Sequence, residues 1–132
     1  MSNLHAPEKP LPRKYLQSIL YLADRMSEAD GKVVPRERIM IESLAEAAHM
    51  KDFRNDNDYR RLSEFKACGM LDIEEAKAAA LVVITLVMKA DHINRDGELS
   101  FFSKIRGMLK CEPISVPADL QAHKELALKF LG

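Results

Sequence analysis

Tryptophan is missing from this chain, and cysteine, glycine and aromatic residues are scarce: two Cys, five Gly, three Tyr and five Phe in 132 residues. Cys68 and Cys111 form no Cys-x-x-Cys pair and have no histidine at zinc-finger spacing. Neither a disulfide framework nor a structural zinc site is therefore expected, and both read as reduced, partly buried thiols of a cytoplasmic protein. An excess of charge is missing too. Twenty basic residues balance twenty acidic ones, so no global field draws in nucleic acid or an anionic membrane. No apolar run approaches the ~20 residues that cross a bilayer, and residues 1–12 lack the apolar centre of a secretory signal. There is no Gly-rich phosphate loop, nucleophile elbow or Ser/His/Asp order, so no enzyme activity is expected. An apolar content of 47% beside 30% charged residues fits one folded domain with a real core.

What is present is helical pattern. Ala78 to Met88 is apolar on every side of a helical wheel, which predicts a helix buried among others. It extends to about Ala90, with Asp72 and Glu75 spaced as an N-terminal capping box. Before it, Leu16, Ile19, Leu20, Ala23 and Met26 predict a first helix from Arg13 to about Ala29 with one buried face. Pro35 opens a second helix, with Glu37 in its first turn and Met40, Leu44, Ala47 and Ala48 inward. Lys51 to Asp58 reads as a loop or short turn. Tyr59, Leu62 and Phe65 repeat at the spacing of a short third helix ending near Cys68-Gly69. After the central helix, Ser100 caps a fifth with Phe101, Ile105, Met108 and Leu109 inward. Pro117 opens a last helix bearing Leu120, Leu126, Ala127 and Phe130. The expectation is an all-α, single-domain bundle of about six helices over residues 13–132, preceded by an extended arm over residues 1–12 with Pro7, Pro10 and Pro12.

Two turns share a pattern: Ala29-Asp30-Gly31-Lys32-Val33 and Arg95-Asp96-Gly97-Glu98-Leu99. In each, glycine turns the chain, the Asp side chain can accept from backbone N–H groups freed at the turn, and an aliphatic residue anchors the loop. Two such hairpins about a pseudo-twofold axis bring the acidic turns to comparable positions. On these residues the chain resembles the TerB-like family of helical tellurite-resistance domains, with Glu37 completing the first half. In the second half Ala90-Asp91 stands four residues before Asp96-Gly97, and Ser103 stands where Glu37 does. The resemblance spans roughly Leu16 to Leu109. It implies an all-α domain with an acidic surface, reported to bind divalent metal and linked to stress response. Carried onto matching residues, that surface includes Asp30, Glu37 and Asp96.

From the residues alone, Asp91, Asn94, Asp96 and Glu98 offer the oxygen ligands hard cations favour. The spacing is not that of an EF-hand, because with Gly97 as the turn glycine the end positions fall on His92 and Ser103. The Glu46-x-x-His49 pair has no second copy, which excludes a di-iron bundle. His92 reads as a solvated loop residue and His123 as a partly buried structural one. The methionines read as core filler, and Arg54, Arg60, Arg61 and Lys66, interleaved with acids, as a solvated mixed face. The combined expectation is a non-enzymatic module that weakly binds Ca, Mg or Mn, a protein partner, or both, through Asp30, Glu37, Asp91, Asp96 and Glu98. The alternative is a metal-free protein–protein interaction domain in which the Asp-Gly turns are only structural. Neither reading specifies oligomeric state, and a homodimer is open to both.

Overall fold

The computed structural model describes residues 11–29, 35–90, 96–111 and 116–131. Among the described residues, seven α-helices run in order: α1 (Arg13–Ser27), α2 (Pro35–Ala47), α3 (Asn57–Arg60), α4 (Glu64–Met70), α5 (Glu74–Lys89), α6 (Asp96–Leu109) and α7 (Leu120–Leu131), with a 3-10 turn at Phe53–Asn55 between α2 and α3. No strand occurs among them. The all-α bundle is as expected.

α5 is the central rod. Ten of its sixteen residues are buried, from Ala76 to Met88, and each fully buried Leu, Val or Ile contributes about 1.5–3 kcal/mol against exposure. A narrow half-buried strip of Ala78, Thr85 and Lys89 interrupts the apolar surface at helical spacing. Its N-terminus differs from the capping-box expectation. Ile73 is the N-cap and makes no side-chain cap bond. Asp72 instead accepts the Tyr15 hydroxyl at 2.6 Å. That bond holds the Asp72 carboxyl below its usual range. A tertiary partner has displaced the local one.

The first helix is more deeply placed than a one-faced helix. From Tyr15 to Ser27 only Arg25 is exposed, with Gln17 and Tyr21 half-buried. α1 packs against α5, α4, α2 and α6, so it is a second interior rod, and Ser18, Asp24 and Ser27 are buried with its apolar residues. α2 buries Glu37, Ile41, Leu44 and Ala45, one stripe at spacings of four, three and one. Met40 and Ala47, expected inward, are half-buried. His49 at φ 57° ends this segment and Lys110 at φ 53° ends α6, both in the left-handed conformation common just past a helix.

The expected third helix is two. Ser63 has extended backbone, and its side chain accepts the Lys66 N–H at 3.1 Å, so the chain restarts at Glu64. The break rotates the next helical turn, and Phe65 is 79% exposed rather than inward. α6 starts at Asp96 rather than Ser100. α7 starts at Leu120, capped by Asp119 accepting the Ala122 N–H at 2.9 Å, rather than at Pro117. Leu11, assigned to the arm, is buried and donates its N–H to the Phe130 carbonyl at 3.1 Å.

Candidate functional site

The C-terminus of α1 meets the N-terminus of α6. Ala29, the last described residue before Asp30-Gly31, and Gly97, which lies in the first turn of α6 and not in the loop expected for it, line one pocket of about 310 Å³. Around it runs a charged belt across three helices. The Arg25 guanidinium reaches Glu28 at 3.2 Å and Glu64 at 3.9 Å, and Lys104 of α6 binds Glu64. Two carboxylates meet two cations, so the described part of this rim is electrically balanced.

Of the five residues expected to form an acidic site, Glu37 is placed in full, and it is not on a surface. It is completely buried, because it occupies the core stripe four residues before Ile41. Its place in the first turn of α2 also sets its side chain at the positive end of the helix dipole. Asp96 and Glu98 lie in the first turn of α6 by backbone, while their side chains are outside the described residues. Asp30, Asp91, Asn94 and His92 lie outside them as well. Among the described residues, no group of three or more His, Cys, Asp or Glu is arranged to hold a metal ion.

The strongest polar constellation lies elsewhere. Asp24 of α1 is 4% exposed. Arg54 forks onto it, Nε to Oδ2 at 2.8 Å and Nη2 to Oδ1 at 2.7 Å, while Nη1 donates to Glu42 at 2.5 Å. The Tyr59 hydroxyl donates to Asp24 Oδ2 at 2.6 Å. Tyr59 is held protonated, first by burial and then by that bond. The Arg54 guanidinium also lies 4.6 Å over the Phe53 ring, and Phe53 and Tyr21 meet Tyr59 edge-on at 5.4 Å. The group ties α1, α2 and the 53–60 segment together. Its carboxylate accepts three strong hydrogen bonds, two from Arg54 and one from Tyr59, and the group acts as a clamp. Sequence reading placed Arg54 on a solvated face. The available signal was Asp24, which sits on a helix whose apolar residues leave little room for an outward face.

Two further buried groups carry perturbed protonation. His123 of α7 is fully buried, between the Val82 carbonyl at 2.9 Å from Nε2 and the Lys89 ammonium at 3.1 Å from Nδ1. Both contacts are hydrogen bonds only if Nε2 carries the proton and the ring is neutral. Burial, aided by the Lys89 charge, lowers its pKa. The unfolded chain then takes up this proton first, near the ordinary histidine value of about 6.5. The stabilisation is complete above that pH and is lost as pH falls toward the folded value, at no more than about 1.4 kcal/mol per pH unit. Urea unfolding at pH 7.5, 6.5 and 5.5 should show this decline, and His123→Gln should flatten it.

Cys68 is buried, and its thiol is pushed up to about 11 by burial and by Glu64. Its thiolate is scarce at neutral pH. Iodoacetamide at pH 7.5 should label Cys68 far more slowly than in the urea-unfolded chain, read by mass spectrometry of its peptide.

No family model matches the chain, and no curated protein matches it. A crystal structure of a protein of unknown function from Porphyromonas gingivalis W83 has the same fold, with a TM-score of 0.69 over 96% of this chain and 97% of that one at 16% identity. At that identity the likeness extends to the fold alone. Among the described residues no helix is long and apolar enough to cross a membrane.

Proposed function

We propose that this bundle is a non-enzymatic binding module of the TerB-like type, whose two Asp-Gly turns together take up a divalent cation or a protein partner. The observation that supports this reading is the shared pocket of Ala29 and Gly97, where the end of α1 meets the start of α6. Like charges held close repel, and the proposed cation, shared by Asp30 and Asp96 with Asp91 and Glu98 as further candidate ligands, relieves that repulsion. Cation binding then couples to the relative placement of the two hairpins, and the setting is a cytoplasmic stress response. Calorimetric titration with calcium or manganese, paired with thermal unfolding, tests it. The wild-type chain should give binding heat and a raised midpoint, and Asp30→Asn with Asp96→Asn should abolish both. Unchanged heat and midpoint shift in the double variant remove the cation from the proposal.

The complete burial of Glu37 favours a second reading, because it withdraws one carboxylate from the exposed surface. In that reading the turns are structural and the module binds a basic protein partner without metal. Its binding then weakens steeply with added salt and is indifferent to chelator.

A further inference from the structure

We propose that the groove between α1 and the α3–α4 segment docks an acidic amphipathic helix of a partner protein. This face is distinct from the pocket of Ala29 and Gly97. The groove measures about 610 Å³ and is lined by Arg13, Lys14, Arg61 and Lys66, with Leu62 and Met70 among its apolar walls. Two acids, Asp56 and Asp58, also line it. Asp56 is already engaged, by Arg13 at 3.7 Å and by the Asp58 N–H at 2.8 Å. Four cations against two acids leave the groove positive.

The outward side of α4 extends the apolar surface beyond the groove. Phe65 is 79% exposed and Met70 42%. Between Phe65 and Met70 stands Gly69, and a Cβ built there meets nothing within 4 Å. The fold itself therefore makes no demand for glycine at this helical position, where glycine costs about 0.5–1 kcal/mol relative to alanine. A bare backbone strip beside exposed apolar side chains is where a second helix can approach closely. Phe65 of α4 does not line the groove, so an anchor filling the groove alone leaves that exposed ring uncovered, which favours a chain over a small ligand. A second copy presenting this same face would oppose cation to cation. Helix-in-groove recognition needs apolar anchors at three- and four-residue spacing, and the cations of the rim require acids beside those anchors.

Selection from a displayed library of amphipathic helical peptides against the full chain tests the proposal. Recovered peptides should be enriched in Asp and Glu flanking apolar residues at i, i+3, i+4 and i+7. Their affinity should fall about tenfold or more for Arg61→Glu with Lys66→Glu, and likewise for Gly69→Gln. Gly107 of α6 is equally open but has Ser103 and Lys110 for neighbours on its exposed side. Gly107→Ala should raise the thermal midpoint and leave peptide binding unchanged. Gly69→Ala should raise the midpoint while weakening binding. The proposal is overturned if no binder emerges, if binders lack acidic enrichment, or if the groove variants bind as the wild type does. A concentration-dependent dimer abolished by Gly69→Gln also overturns it, in favour of self-association.

Discussion

Arg54→Ala should destabilise the fold by roughly 3 kcal/mol or more, since removing one partner of a buried ion pair leaves the other charge uncompensated. Asp24 is 6% exposed at its side chain and Arg54 26%, so water replaces the guanidinium only in part. The lost fork also releases Glu42, and it leaves Tyr59 as the one remaining side-chain donor to the Asp24 carboxylate among the contacts described. A fall in thermal midpoint on the order of 10 °C is expected for a domain of this size. The comparison that separates charge from packing is Arg54→Met with Asp24→Leu. Replacing both partners by apolar groups of similar volume should recover much of the loss. Urea unfolding of the two variants and of wild type decides it. An Arg54→Ala loss below about 1 kcal/mol, the range of exposed ion pairs, would show that the pair is solvated.

Phe53→Ala should cost a comparable amount, about 3–5 kcal/mol. Phe53 is fully buried although it belongs to a three-residue 3-10 turn. Its ring supports the Arg54 guanidinium on one side and meets Tyr59 edge-on, so truncation removes core contact and loosens the clamp together. The two losses should therefore be less than additive in the double variant, because they disable one unit. Additivity within about 0.5 kcal/mol would mean the ring and the ion pair act independently.

The central helix was legible because an apolar run of that length has one physical solution in water. Its partner, α1, was legible as a helix, but reading one stripe from it hid how few of its residues are left to face water. Whether Asp24 faces outward depends on Arg54, thirty residues away, and no local pattern encodes that distance. Arg54 itself sits among Asp52, Asp56 and Asp58, a sequence that looks like a solvated face. Glu37 carried a usable signal, since it stands four residues before Ile41 and seven before Leu44 on one stripe. Reading it as a surface ligand came from its match in the TerB-like pattern, and burial corrects that placement. Phe65 misled for a different reason: apolar periodicity ran across Ser63, whose cap restarts the helix and turns the phenyl ring outward. The two Asp-Gly motifs were visible, but the second belongs to the first turn of α6 and not to a loop. Of their geometry, the described residues establish the common pocket of Ala29 and Gly97.

Paramagnetic broadening by manganese, followed amide by amide in the full chain, tests the shared-turn proposal most directly. At sub-stoichiometric metal, the signals of Ala29, Gly97 and Ser100 should fade together while those of Leu71 and Phe130 persist. Broadening confined to one hairpin, or spread without preference over exposed carboxylates such as Glu46 and Glu125, would contradict it.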